Sequence, residues 1–222
     1  MAYSFSSISS FQECPRKYHE TRILKLHPVV ETEAMRWGTE IHLKCEEYLR
    51  DGKPIGETGI PALQDILDSL KGLEGGMNCE LEMSFDRNFN PTPFRTAASW
   101  FNGITDVAVI NRTRAFIGDF KTGGDKYPKV KQLELMALMI MLHIPEVQTV
   151  DGALLFVVPG TIVNGSYKRS DIEKYKNYWM VEAGKIESSE QVGIWPAKSS
   201  GLCPWCPCED CEHHRPKPKG RT

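Results

Sequence analysis

Asp106, Asp119 and Lys121 are the residues whose types and spacing point most directly to chemistry. They lie in Gly103-Ile104-Thr105-Asp106 and in Ile117-Gly118-Asp119-Phe120-Lys121-Thr122-Gly123. Side chains alternate along a strand, so Asp119 and Lys121 share a face while Gly118 and Phe120 point the other way. If residues 103–110 and 114–121 are strands joined by a turn at Asn111-Arg112-Thr113, Asp106 comes to lie beside Asp119 at one end of a sheet. Two carboxylates so placed repel unless a cation joins them. Oxygen donors suit Mg²⁺ or Mn²⁺. A cation held there can activate water and polarise a phosphodiester, while the lysine stabilises the charge that develops. The competing reading is a surface hairpin with ordinary charges.

The second constellation is made of thiols. The chain has 7 Cys, and Cys203, Cys206, Cys208 and Cys211 are crowded into one short stretch. Cys203-Pro204-Trp205-Cys206 is a CxxC turn, which lets two thiolates converge on a metal. An odd count weakens a disulfide framework. In an intracellular chain, thiols stay reduced and clustered ones bind metal more often than they pair. Four ligands from so short a segment would be cramped, which favours a distant fourth. Structural Zn²⁺, with His213 or His214 as a further ligand, is one occupant. Cys45 and Cys79 have no partners in sequence and read as packed thiols.

Composition sets the frame for both groups. The chain has 222 residues, 41% hydrophobic and 25% charged, with a formal net charge of -2. These values exclude a disordered tail protein or a collagen-like repeat, and they make a single soluble domain the simplest expectation. Near-neutrality means that nucleic-acid binding must rest on local chemistry. No apolar run is long enough for a membrane span, and the Ser-rich start is unlike a secretory signal. The expected location is therefore cytoplasmic, not secreted and not in a membrane.

The elements that must position the residues follow from pattern. Ser6 or Ser7 caps a helix to about Ile23; Thr32 caps another to about Arg50, stopped by Asp51-Gly52; Pro61 starts a third, through Leu73. Residues 80–85 alternate as a half-buried strand, and residues 94–101 read as another. Pro128 opens a helix to about His143 that is apolar nearly all round and hence buried. Val150–Val158 is a strand rich in β-branched residues, and Asp171–Ile186 a charged amphipathic helix. The order predicts an α/β (α+β) fold with a central mixed sheet flanked by helices. Gly38, inside the second helix, costs about 1 kcal/mol relative to Ala, so a close approach by a neighbour is expected there.

Taken together, these motifs resemble the PD-(D/E)XK nuclease superfamily, and in particular its RecB-like branch with an iron–sulphur cluster, similar to AddB-type nuclease domains and CRISPR adaptation exonucleases. Gly103 to Asp106, Asp119 to Gly123 and Gln132-Leu133 match in order and spacing, as do Gly38 with His42 and Cys14-Pro15-Arg16-Lys17-Tyr18. The resemblance implies His42, Asp106 and Asp119 as ligands of Mg²⁺ or Mn²⁺, with the Phe120 backbone carbonyl as a further ligand. It also implies Lys121 as the catalytic lysine and Gln132 as an active-site residue. Glu82 matches a family glutamate of variable role, and Glu80 on the same strand competes with it. Where relatives often carry a tyrosine, this chain has Met136. For the thiols, the resemblance implies a [4Fe-4S] cluster on Cys14, Cys203, Cys206 and Cys211, with Cys208 as the alternative ligand and Zn²⁺ as the alternative occupant. Four thiolates are the usual ligand set for such a cluster.

On this reading residues 1–214 are one restriction-endonuclease-like nuclease domain whose N- and C-terminal segments the cluster joins, and residues 215–222 are a basic, disordered tail. The activity implied is metal-dependent hydrolysis of DNA phosphodiesters. The mode implied is exonucleolytic, on single-stranded DNA or free ends, in recombination, repair or phage DNA metabolism. A separate helicase or recombination protein is a possible partner. Arg16 and Lys17, and with less specificity Lys126, Lys129 and Lys131, are candidate DNA contacts; Trp195 and Trp205 can stack on bases or shield the cluster. The alternatives are a non-catalytic DNA-end-binding accessory module and a zinc-stabilised DNA-binding protein.

Overall fold

The computed structural model describes residues 2–215; the tail beyond, which the sequence reading treats as disordered, lies outside them. The described chain divides into two compact units, one of residue 2 and residues 31–177, the other of residues 3–30 and 178–215.

The larger unit is built on a five-stranded mixed sheet in the order β1-β2-β3-β4-β5. Its strands are β1 (Gly76–Phe85), β2 (Phe101–Asn111), β3 (Arg114–Lys121), β4 (Thr149–Phe156) and β5 (Thr161–Lys168). β3 and β4 are parallel and every other neighbouring pair is antiparallel. The parallel step requires a crossover, and helix α5 (Lys131–His143) supplies it. Leu133–Met141 are all buried, as an all-round apolar helix must be. Arg169 holds the C-terminal end of α5, donating to the Met141 and Val147 carbonyls at 2.6 Å and to Ile144 at 2.9 Å. Met141 lies in the last turn of α5, whose carbonyls lack partners within the helix, and Ile144 and Val147 follow that turn.

Helix α3 (Glu33–Asp51) covers the sheet with Ile41, Cys45 and Leu49. Its ends follow the sequence signals. The Thr32 hydroxyl accepts the Met35 N–H at 3.2 Å, and Gly52 closes the helix at φ +70°. Cys45 is fully buried and Cys79 packs against the same cluster, so both are packing thiols. Helix α4 (Leu63–Lys71) adds Leu63, Leu67 and Leu70 to this core.

Several expectations are corrected. Residues 94–100 are turns, not strand, and β2 begins only at Phe101. Arg95, in this segment, takes φ +54°, outside the extended region. β5 is an addition that the sequence reading lacks. α5 starts at Lys131, three residues after Pro128, and α4 at Leu63, after Pro61.

The smaller unit begins with α1 (Phe5–Glu13), capped by Ser4 through a reciprocal box with Ser7, not by Ser6 or Ser7. One continuous helix to Ile23 is also wrong. Cys14 is extended, with φ -163° and ψ 112°, because it precedes Pro15, whose ring disfavours the helical conformation there. α2 (Pro15–Tyr18) follows, then a π-helical turn over His19–Ile23. Trp195 stacks on His19 with ring centroids 4.6 Å apart and also meets Tyr18 and Phe11, so its ring is committed to packing. Helix α6 (Ile172–Val192) contributes Trp179, Ala183 and Ile186 to the core.

Candidate active site and thiol pocket

The site in the larger unit begins where the sheet comes apart. The β2–β3 ladder runs from Asn111–Arg114 to Val107–Gly118 and ends there. The next residues inward are Asp106 and Asp119. Beyond this point the Phe120 N–H donates to Asp106 Oδ2 at 2.6 Å, so a carboxylate takes the place of a ladder carbonyl. The other flank of Asp106 is interrupted as well. β1 pairs Cys79 with Val107 and Leu81 with Thr105 but skips Glu80, whose φ is +50°. A non-glycine residue held there is strained, and such strain collects at functional sites.

His42 projects from α3, with Nδ1 3.4 Å from Asp106 Oδ2 and its ring edge-on to Phe120. The neighbouring Asp106 carboxylate holds its pKa above the usual range, against the opposing effect of burial. Asp119 is only 5% exposed. Burial, and then the Asp106 charge, push its carboxyl well above the ordinary carboxylate range, although Lys121 and His42 pull the other way. Asp119 Oδ1 accepts the Gln132 side-chain amide at 2.5 Å. Its Oδ2 is buried without a hydrogen bond of good geometry and faces the Lys121 ammonium as an ion pair. A buried carboxylate oxygen left in that state, beside a second carboxylate and an imidazole, suits a divalent cation: the donors are hard oxygens and one nitrogen, and a cation would relieve their repulsion.

Two predicted neighbours are sorted by the backbone. Glu82 is exposed, whereas Glu80 is half-buried. The Glu80 carboxyl is raised first by burial and then by Asp106, which places it within the field of the site. Simple alternation puts both glutamates on one face; the left-handed residue in β1 is what separates them, and nothing in the local sequence announces it. Gly38 behaves as expected of a close approach: a Cβ there would lie 3.0 Å from Thr122 Oγ1, one turn of α3 before His42 and directly after Lys121. Gly103 serves the core, since a Cβ would meet Met139 Sδ at 2.6 Å and Met136 Sδ at 3.2 Å. Met136 is thus a buried packing residue under β2.

In the smaller unit Cys14, Cys203, Cys206 and Cys211 line one pocket, together with Cys208 and His214. The sequence-distant thiol and the C-terminal group therefore meet. His214 Nδ1 is buried without a partner, whereas His213 lies 3.9 Å from Glu212. Cys208 also belongs to another group: its sulphur, a Glu20 oxygen and a His27 nitrogen all lie within 4.8 Å of one another. Among the described residues no three of the sulphurs of Cys14, Cys203, Cys206 and Cys211 converge to that extent. Burial pushes the Cys208 thiol up, as do its contacts with Glu20 and Cys206.

The predicted DNA contacts Arg16 and Lys17 are engaged locally. Arg16 bonds Glu20 at 2.7 Å and Glu212 at 3.1 Å, and Lys17 lies 3.5 Å from Glu13. Trp205 is 56% exposed. No helix of the described residues is long and apolar enough to cross a membrane.

Comparison with known proteins agrees with this geometry. A solved structure of a candidate exonuclease from Eubacterium rectale is similar over 100% of this chain and 91% of its own, at 12% identity and a TM-score of 0.52. The protein SSO0001 is similar over 96% of this chain and 87% of its own, at 12% identity and a TM-score of 0.43. No curated protein matches the sequence. The family model of the PD-(D/E)XK nuclease superfamily matches residues 2–212, and with nearly the whole chain covered, the protein belongs to that superfamily.

Proposed function

We propose that the chain is a divalent-metal-dependent deoxyribonuclease that hydrolyses DNA phosphodiesters from free or single-stranded ends. The observation that carries this reading is the opening of the β2–β3 ladder at Asp106 and Asp119, with His42 and Lys121 on the same opening. His42, Asp106 and Asp119 would hold Mg²⁺ or Mn²⁺, with the Phe120 carbonyl and the half-buried Glu80, in preference to Glu82, as further candidate donors. When bound, the cation supplies Lewis-acid activation of water and charge neutralisation at the phosphate. The protein's own groups do the rest. Gln132 fixes the Asp119 carboxylate through Oδ1, the Phe120 N–H fixes Asp106, and Lys121 offers a positive charge to the phosphoryl oxygens as negative charge grows on them. The exonucleolytic mode rests on the resemblance and on the description of the Eubacterium rectale protein.

The second part of the reading assigns a [4Fe-4S] cluster to Cys14, Cys203, Cys206 and Cys211. Its support is the pocket that the four thiols line together. Residues 1–214 are then one nuclease domain of the RecB-like branch, with its two ends fastened by the cluster.

The test is anaerobic purification, metal and acid-labile sulphide analysis, and degradation of end-labelled single- and double-stranded DNA with Mg²⁺ or Mn²⁺. Asp119→Ala and Lys121→Ala should abolish cleavage, and parent-like rates in both would overturn the catalytic assignment. Cys14→Ser should lose iron. A colourless protein with stoichiometric zinc would sink the cluster.

A further inference from the structure

The segment between β3 and α5 has both its ends at one carboxylate. It leaves from Lys121, which is paired with Asp119, and returns to Gln132, whose amide bonds Asp119 Oδ1. Its base is fixed: Asp125 accepts the Thr161 hydroxyl at 2.6 Å, and the Val130 carbonyl accepts the Tyr167 hydroxyl at 3.3 Å. The tip, Lys126 to Lys129, projects into solvent. Tyr127 is 80% exposed and Lys126 Nζ sits 5.3 Å from its ring centroid. Pro128 restricts the backbone beside it. Lys126 and Lys129 bring two cations to the tip, whereas Lys131 is paired with Glu134 at 2.7 Å and Asp125 stays at the base, bonded to Thr161.

We infer that this loop is a platform for a single DNA strand. Tyr127 stacks on an unpaired base next to the scissile phosphate, and Lys126 and Lys129 hold the flanking phosphates. An aromatic ring left outside the core, on the loop that joins Lys121 to Gln132 and beside cations, has the composition of single-strand binding surfaces, where ring faces take bases and lysines take phosphates. Bases inside a duplex present no free face to such a ring, so the platform selects unpaired strands. The inference rests on the nuclease reading above and names the substrate form that this site prefers.

The test compares the parent protein, Tyr127→Ala, Tyr127→Phe and Lys126→Ala/Lys129→Ala on a fluorescein-labelled single strand and on the matching blunt duplex. Cleavage is followed with Mn²⁺, and binding by anisotropy with Ca²⁺. Tyr127→Ala should raise KM and Kd for the single strand by about tenfold, with little change on the duplex, and Tyr127→Phe should match the parent. The double lysine variant should flatten the salt dependence of Kd. An unchanged single-strand Kd in Tyr127→Ala, or equal losses in the Ala and Phe variants, would overturn the platform. A parent protein that fails to cleave DNA with either metal refutes the nuclease reading instead, and the anisotropy arm still decides the loop.

Discussion

The Phe120 N–H donates to Asp106 Oδ2 at 2.6 Å, across the point where the β2–β3 ladder stops. One carboxylate thus satisfies a backbone donor that the opened sheet would otherwise leave bare, and its charge stays at the site. Asp106→Asn keeps an acceptor for that N–H and removes the charge. It should melt close to the parent yet lose Mn²⁺ affinity and DNA cleavage by at least about 100-fold. Calorimetric titration with Mn²⁺ and a cleavage assay on the same preparation check both halves.

Gln132 donates to Asp119 Oδ1, and on the proposed reading it positions that carboxylate. Gln132→Ala frees Asp119 Oδ1 and should lower metal affinity or rate by roughly 10- to 100-fold. Gln132→Glu should do worse, because it sets a third carboxylate against two that already repel. If Glu matched or exceeded the parent, the amide would have no part in orienting Asp119.

Gly38 and Thr122 make a separable pair. Gly38→Ala relieves a helix cost of about 1 kcal/mol but drives a methyl to within 3.0 Å of Thr122 Oγ1, next to Lys121. Stability should move by less than about 1 kcal/mol while cleavage falls. Adding Thr122→Ser, which can rotate its hydroxyl away, should recover part of the activity. A double-mutant cycle on cleavage rate with no coupling energy would refute the contact.

Acid should weaken the smaller unit through Glu20. Hydrogen bonds from Arg16 and then His27 lower its carboxyl from 4.5 to about 2. A depressed folded pKa stabilises fully above the unfolded value, and that stability is lost as pH falls through the folded one. The contribution, about 3 kcal/mol, should disappear between about pH 4.5 and pH 2. Glu20→Gln should remove that pH dependence in chemical denaturation. A parent-like acid profile in the variant would contradict the assignment.

Much of this arrangement is legible in the chain because it depends on local periodicity. Asp119 and Lys121 share a face by the two-residue repeat of a strand, and Thr32 and Gly52 bound α3 by capping chemistry. Where longer-range forces decide, the pattern misleads. β5 contains Asn164, Gly165 and Ser166, poor strand formers that β4 recruits by pairing. Residues 94–100 look like a strand, but positive φ at Arg95 and the Phe85–Phe89–Trp100 aromatic cluster turn the chain instead.

The sequence by itself determined which groups this protein has for chemistry: two aspartates and a lysine at strand spacing, a histidine one turn after a glycine, and five thiols at the two ends of the chain. Only the tertiary structure decided which of them meet. It opened the ladder at Asp106, turned Glu80 and not Glu82 into the field of the site, gathered Cys14 with Cys203, Cys206 and Cys211, and drew Cys208 toward Glu20 and His27. The reason is physical. Spacing specifies the direction of a side chain relative to its own element, whereas convergence depends on where strand pairing stops and what packs against the gap.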